Sequence, residues 1–171
     1  MIKMLLIDVD GVLTDGSISI GDSAEESKTF NVKDGMGIAL ARKAGISVVF
    51  LSARYSKPLV RRAKELGVEE VHHSASDKAA VLEELTKKHM LKKEEVAYIG
   101  DDINDIPALK LAGLPCAVND AAEEVKSIAK YVSKLDGGKG AVREIIEMIL
   151  KAENAYDQAV KGYLEGKDKR Q

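Results

Sequence analysis

Short apolar runs alternate with longer amphipathic stretches along this chain. Five runs rich in Val, Ile and Leu predict β-strands at 4–7, 47–51, 70–72, 96–99 and 115–118. Between them, apolar residues recur at helical spacing at 35–44, 57–66, 78–89, 104–112 and 121–129. Strands that alternate with helices of this length form right-handed βαβ units. We therefore expect an α/β fold of the Rossmann type, with a parallel sheet and helices on both faces.

Residues 14–33 interrupt this alternation between the first strand and the first helix. They hold two stretches of period-2 pattern, at 17–20 and 29–32, which predict a β-hairpin that projects over the active edge of the sheet. An isolated hairpin is marginally stable in water, and its apolar face would be exposed. Burial against another subunit is the favoured remedy, so we expect an oligomer; a flap folded back on its own domain is the alternative.

Length, charge and hydropathy narrow the class of protein. The 171 residues fit one domain, 1–171, with the hairpin at 14–33 and a weakly patterned C-terminal tail from about 154 to 171. The 26 Lys and Arg against 28 Asp and Glu leave no basic excess for a nucleic-acid partner. No apolar run reaches the roughly 20 residues of a membrane span. The first apolar run is too short for a signal peptide, so we expect a cytoplasmic protein without membrane contact.

Polar side chains follow the predicted strands and should meet at one edge of the sheet. Asp8 and Asp10 close the first strand, Ser52 closes the second, and Asp101 and Asp102 follow the fourth. Carboxylates at the end of a buried strand are costly to leave unpaired, and a bound cation together with a phosphate group would compensate that cost. Carboxylates without His or Cys suit a hard cation such as Mg²⁺ rather than zinc. Taken singly, a structural turn after the first strand and simple helix capping at 101–105 remain alternatives.

Ser52, Arg54 and Lys78 are candidate anion-binding residues. A hydroxyl and a guanidinium at the end of a strand can hold phosphate oxygens or a carboxylate, although Ser52 alone also suits a turn. Lys78 begins a helix just after Asp77, where a cation opposes the helix dipole unless an anion is present. An anionic partner for Lys78 is therefore favoured over a solvated surface lysine.

Four elements in this order resemble the haloacid dehalogenase superfamily of phosphatases: Asp8-x-Asp10-Gly, Ser52, Lys78 and Gly-Asp101-Asp102-x-x-Asp105. Asp-Gly-Val-Leu-Thr-Asp-Gly at 10–16, Phe-Asn-Val-Lys-Asp-Gly at 30–35 and Gly-Gly-Lys-Gly-Ala-Val-Arg-Glu at 137–144 are similar to the capless sugar-acid phosphatases within it. That family usually has Thr at the position of Ser52, and serine keeps the hydroxyl.

The resemblance implies a role for each matching residue. Asp8 is the expected nucleophile, and Asp10 the general acid and then the general base. Mg²⁺ is expected on Asp8, the backbone carbonyl of Asp10 and Asp101, with Mn²⁺ or Co²⁺ as open alternatives. Ser52 and Lys78 are expected to bind the transferring phosphoryl group. Two further residues are expected nearby, where they would orient a metal-bound water or the lysine: Asp102 and Asp105.

The resemblance also implies a substrate and an assembly. The expected substrate is an eight-carbon sugar-acid phosphate of lipopolysaccharide biosynthesis, hydrolysed in a homotetramer whose hairpins lie at the subunit interface. A nine-carbon sugar-acid phosphate and a non-catalytic oligomerisation module remain alternatives, and Lys33 with Asp34 would otherwise be a solvated pair that caps a helix. The expected substrate-binding residues are Asp10, Asn31, Lys33, Asp34, Gly35, Arg54, Arg62 and Lys78.

Overall fold

Eight strands lie in residues 1–20 and 26–168, which the computed structural model describes. In chain order they are β1 Met4–Asp8, β2 Ser19–Ile20, β3 Glu26–Ser27, β4 Ser47–Leu51, β5 Glu70–His72, β6 Val96–Gly100, β7 Leu114–Ala117 and β8 Tyr131–Val132. Six of these form a parallel sheet in the order β5-β4-β1-β6-β7-β8. The other two, β2 and β3, pair with each other as an antiparallel hairpin.

The helices cover both faces of this sheet. They are α1 Val32–Lys43, α2 Lys57–Leu66, α3 Lys78–Lys88, α4 Ile106–Leu111, α5 Glu123–Ile128, α6 Ala141–Ala152 and α7 Tyr156–Asp168. One group packs α1 against α6 and α7, and another packs α4 against α3 and α5. Every residue of β1 and β6 is buried, and successive side chains on a strand point to opposite faces, so neither face is open to solvent there. Among the described helices, none combines the length and the apolar character that crossing a membrane requires.

The central position of β1 in the sheet indicates where a ligand can bind. Residues 4–8 of β1 pair with 47–51 of β4 on one side, and 4–7 pair with 96–99 of β6 on the other. The chain runs from β1 to β4 first and reaches β6 only later, so the strand order reverses at β1. In parallel α/β sheets, ligands bind at such a switch point, outside the carboxyl ends of the strands.

The predicted α/β fold is confirmed, and the predicted hairpin is present with a shifted second strand. The sequence pattern predicts this strand at 29–32, whereas β3 lies at Glu26–Ser27. The reason is that Asn31 is the N-cap of α1: its side chain accepts a hydrogen bond from Lys33 N at 2.8 Å, and Val32 is already helical. The intervening residues 21–25 lie outside the described part of the chain.

The C-terminal part is more ordered than its sequence pattern predicts. Strand–helix alternation does not predict α6 and α7, because these two helices follow each other without an intervening strand. The weakly patterned segment from about 154 is helical through residue 168, where α7 packs on α1 and buries Ala159. Residues 169–171 lie outside the described part of the chain.

Candidate active site

The loop after β1 brings the two predicted acidic motifs together. Asp8 ends the strand, and the chain then makes a tight turn over Val9–Leu13. Gly11 has φ of 91°, and a Cβ at this position would lie 2.0 Å from Asp101 Oδ2. Only glycine therefore lets the Asp101 carboxylate approach this turn without displacement. Thr14 Oγ1 holds the turn by accepting hydrogen bonds from the backbone N–H groups of Gly11 at 3.3 Å and Gly16 at 3.2 Å.

A second glycine-rich loop packs against this turn. Gly138 N donates to Val12 O at 2.9 Å, and a Cβ at Gly137 would lie 1.8 Å from Gly11 O. Asn31 Nδ2 donates to Gly138 O at 3.3 Å, which joins the start of α1 to the same loop. The Gly-Gly-Lys-Gly motif at 137–140 thus packs against the loop after β1 and supports its conformation.

Lys78 lies between two buried carboxylates. Its Nζ is 2.8 Å from Asp8 Oδ1 and 2.6 Å from Asp105 Oδ1. The Tyr98 hydroxyl also donates to Asp105 Oδ1 at 2.7 Å, and Asp101 N donates to Asp105 Oδ2 at 2.9 Å. Asp102 N also donates to Asp105 Oδ2 at 3.4 Å, so Asp105 is held by four donors and fixes the lysine beside Asp8. The sequence predicts Asp105 as an orienting residue, but it gives Tyr98 no role, because a tyrosine in a strand is typical of the core.

Burial and mutual repulsion perturb the pKa values of these acids. Burial, followed by the charge of Asp105, raises the pKa of Asp8 to about 6, although Lys78 opposes the shift. Burial, followed by the charges of Asp8 and Asp105, raises the pKa of Asp101 to about 8. Burial lowers the pKa of Lys78, but the two neighbouring carboxylates outweigh it and raise that pKa. The site has more negative charge than one lysine neutralises.

The same carboxylates fit a divalent cation. One oxygen each from Asp8, Asp101 and Asp105 lies within 4.8 Å of the others. Because Asp105 is already engaged by Lys78, Tyr98 and a backbone amide, Asp8 and Asp101 are the side chains best placed as ligands. A donor set of oxygens only suits a hard cation such as Mg²⁺, and a cation would relieve the repulsion that raises the two pKa values.

Asp10 faces a different set of partners from Asp8. Its Oδ2 is 3.1 Å from Ser52 Oγ, and its Oδ1 contacts the ammonium group of Lys28. Ser52 is buried at the end of β4, and its Oγ accepts a hydrogen bond from Arg54 N at 3.1 Å. The two aspartates are therefore aimed at different points. The sequence does not single out Lys28, because a lysine beside acidic residues in a hairpin is typical of a solvated surface.

Part of the predicted substrate-binding set packs where α1 meets α2. The Arg62 guanidinium is 6.0 Å from the Phe30 ring centroid, and a Cβ at Gly35 would lie 2.5 Å from its Nη2. Asp34 is buried and accepts a hydrogen bond from Arg143 N at 2.8 Å, so it caps α6. Burial raises the pKa of Asp34. These contacts give Asp34 and Arg62 structural partners, and their part in substrate binding stays a prediction.

The remaining predicted residues lie on the surface around the edge. The Asp102 side chain accepts a hydrogen bond from Ile103 N at 2.7 Å and so caps the single turn that precedes α4. Lys33 and Arg54 are exposed, at the start of α1 and just beyond Ser52. The structure thus brings one compact group together, and places the other predicted residues outside it. The compact group is Asp8, Asp10, Ser52, Lys78, Asp101 and Asp105.

Comparisons with known proteins point to one family. The sequence profile of the haloacid dehalogenase-like hydrolases matches residues 59–146. The 3-deoxy-D-manno-octulosonate 8-phosphate phosphatase of Escherichia coli K12 is 40% identical over 158 residues, which cover 92% of this chain and 84% of that protein. The Moraxella catarrhalis phosphatase of the same name, solved with magnesium, phosphate and the sugar acid, is 38% identical with a TM-score of 0.91, over 95% of this chain and 93% of that one. The cobalt-bound Haemophilus influenzae phosphatase is 39% identical with a TM-score of 0.87, over 95% and 96%.

Proposed function

The chain belongs to the haloacid dehalogenase-like hydrolases, and from that membership we propose that it hydrolyses 3-deoxy-D-manno-octulosonate 8-phosphate to the free sugar acid and phosphate. The observation that carries the proposal is the buried Asp8 carboxylate at the end of β1, 2.8 Å from Lys78 Nζ and beside Asp101. The relatives from E. coli and M. catarrhalis support the choice of substrate. The product is the sugar acid that such enzymes supply to lipopolysaccharide biosynthesis.

The reaction proceeds in two displacements at phosphorus. An Asp8 oxygen attacks phosphorus, the bond from phosphorus to the sugar oxygen breaks, and Asp10 gives its proton to that leaving oxygen. Water then attacks the phosphoryl-Asp8 intermediate, Asp10 takes the proton of that water, and the bond from phosphorus to the Asp8 oxygen breaks. Phosphate leaves, and both carboxylates return to their starting states. The separate partners of Asp8 and Asp10 suit this division of roles.

A carboxylate attacks an anionic ester slowly unless charge is neutralised. Lys78 supplies one positive charge next to Asp8, and the Ser52 hydroxyl supplies a hydrogen-bond donor at the same edge. Mg²⁺ held by Asp8, Asp101 and the backbone carbonyl of Asp10 would neutralise further charge on the transferring phosphoryl group. Activity lost with EDTA should return with Mg²⁺, and the same titration with Mn²⁺ and Co²⁺ ranks these metals.

Recognition of the sugar acid falls to the surface residues around the edge. Arg54 is exposed next to Ser52, where its guanidinium can bind the substrate carboxylate. Arg54→Ala should therefore raise KM for the sugar-acid ester about tenfold and leave 4-nitrophenyl phosphate hydrolysis nearly unchanged. Lys33→Ala should show the same contrast. Equal losses on both esters would contradict a role in recognition.

The experiment that tests the proposed function measures phosphate release from the eight-carbon ester with Mg²⁺, with a nine-carbon nonulosonate 9-phosphate in parallel. We expect turnover of the eight-carbon ester with the higher kcat/KM, and none in Asp8→Asn. Preference for the nine-carbon ester would keep the chemistry and replace the substrate. If neither ester reacts, the chain acts instead as an oligomerisation module without catalysis.

The assembly we propose is a homotetramer in the cytoplasm, with the β2–β3 hairpins at the subunit interface. Its support is Ile18, which precedes β2 and is 50% exposed, a large apolar side chain on a short hairpin. Light scattering should give about four times the chain mass of 18.5 kDa. Ile18→Asp should lower that mass, and a monomeric wild-type protein would contradict the proposal.

A further inference from the structure

The ammonium group of Lys28 lies in an unusual place for a hairpin residue. Lys28 directly follows β3, yet its side chain is only 3% exposed. Its Nζ contacts Asp10 Oδ1 and lies 3.2 Å from Glu26 Oε1. Burying an ammonium group is costly unless it is paired, and here the hairpin orders this group against the candidate general acid.

Asp10 is consequently held from two sides. Lys28 contacts Oδ1 from the hairpin, while the Ser52 hydroxyl is 3.1 Å from Oδ2 at the end of β4. The Asp10 side chain still retains 33% exposure, so it is fixed in direction without being closed off. A general acid must point at the leaving oxygen when the bond to phosphorus breaks. A freely rotating carboxylate is seldom in that orientation and therefore loses much of its catalytic effect.

We propose that Lys28 is a positioning residue that holds Asp10 toward the oxygen of the departing sugar, so that the hairpin contributes to proton transfer. The inference rests on the proposed phosphatase function. In that reaction the sugar leaves as a basic alkoxide and needs the proton from Asp10. A 4-nitrophenolate is a weak base and leaves without a proton. Hydrolysis of 4-nitrophenyl phosphate therefore reports whether the rest of the site is intact, independently of the orientation of Asp10.

The test compares kcat/KM for the sugar-acid ester and for 4-nitrophenyl phosphate in Lys28→Met. For each ester, kcat/KM reports the steps up to the departure of the leaving group. The later hydrolysis of the phospho-enzyme is common to both esters. We expect a loss of roughly 100-fold on the sugar-acid ester and of less than about threefold on the aryl ester. Lys28→Arg, which keeps the positive charge, should recover most of the lost activity.

Two variants serve as matched controls. Glu26→Gln removes the second partner of Lys28 and keeps its contact with Asp10, so the ratio of the two kcat/KM values should stay at the wild-type value. Lys3→Met breaks an ion pair of 2.7 Å with Glu95 at the opposite end of β1 and should change neither value.

The contrary results are distinct from each other. An equal loss on both esters in Lys28→Met, or no loss on either, would overturn the positioning role and make Lys28 an anchor of the hairpin. A selective loss in Glu26→Gln as large as in Lys28→Met would also overturn it, because the hairpin as a whole would then be responsible. A wild-type protein that hydrolyses only the aryl ester would instead overturn the proposed substrate on which the inference rests.

Discussion

The carboxyl edge of the sheet and the β2–β3 hairpin each place a lysine with 3% side-chain exposure between two carboxylates. Lys78 at the edge lies between Asp8 and Asp105, which are themselves buried. The partners of Lys28 in the hairpin, Asp10 and Glu26, are 33% and 23% exposed. In the proposed reaction, the edge would therefore stabilise charge that develops at phosphorus, whereas the hairpin would orient a group that stays accessible to the leaving sugar.

Replacing Lys78 should have the largest effect on activity, and this effect should differ in kind from the effect of replacing Lys28. Lys78→Met leaves Asp8 and Asp105 buried without their shared cation, so we expect kcat/KM to fall by about 1000-fold on both the sugar-acid ester and 4-nitrophenyl phosphate. The metal-free variant should also lose about 3 kcal/mol of unfolding free energy, measured in urea. A loss confined to the sugar-acid ester would show that Lys78 has the same role as Lys28, which contradicts the difference proposed between them.

The close approach of Asp101 to the loop after β1 can be tested by a substitution at Gly11. Gly11→Ala would place a Cβ 2.0 Å from Asp101 Oδ2 at a backbone φ of 91°. The carboxylate must move, and we expect the Mg²⁺ concentration for half-maximal activity to rise by roughly 10- to 100-fold. Gly162→Ala in α7 is the control, because a Cβ there meets nothing within 4 Å. An unchanged Mg²⁺ requirement would remove Asp101 from the metal site.

The raised acid pKa values predict a smaller effect, on the stability of the metal-free protein. Folded Asp8 and Asp101, with pKa values of about 6 and about 8, retain protons that the unfolded chain releases near pH 4. The folded state then binds more protons than the unfolded state, so this contribution to stability is present at low pH and is lost as pH rises to about 8. With EDTA, Tm should fall as the pH rises from about 4 to about 8, and Mg²⁺ should reduce the fall.

Asp101→Asn isolates this effect from the rest of the molecule. The amide does not titrate, so the fall in Tm with EDTA should be shallower in this variant than in the wild-type protein. Parallel curves for the two proteins would show that the charge at the edge is already balanced without a metal.

Local pattern predicts the edge well because few steps separate sequence from position there. A buried strand fixes where Asp8 lies, and the parallel register brings Ser52 and Asp101 beside it. Lys28 is different, because its place depends on how the hairpin folds over the sheet. Period-2 alternation carries no information on that path, and it also misplaces β3, where the cap formed by Asn31 overrides it.

Tertiary contacts likewise decide residues that the sequence gives to other roles. Asp34 sits in a motif expected to bind substrate, yet it caps α6, a helix more than 100 residues later that strand–helix alternation does not predict. Tyr98 looks like a core residue of β6, but its hydroxyl reaches Asp105. The partner of Asp34 lies 109 residues along the chain, and the partner of Tyr98 lies seven residues along it, in the loop after β6. Local periodicity reports neither contact.

Trapping the phospho-enzyme tests whether Asp8 is the nucleophile. The protein with Mg²⁺ is mixed with the sugar-acid ester, quenched in acid within one turnover and digested, and the peptides are analysed by mass spectrometry. We expect a phosphoryl group on Asp8, absent from Asp8→Asn, that forms and decays at rates compatible with kcat. A phosphoryl group on another residue, or full turnover by Asp8→Asn, would contradict this role of Asp8.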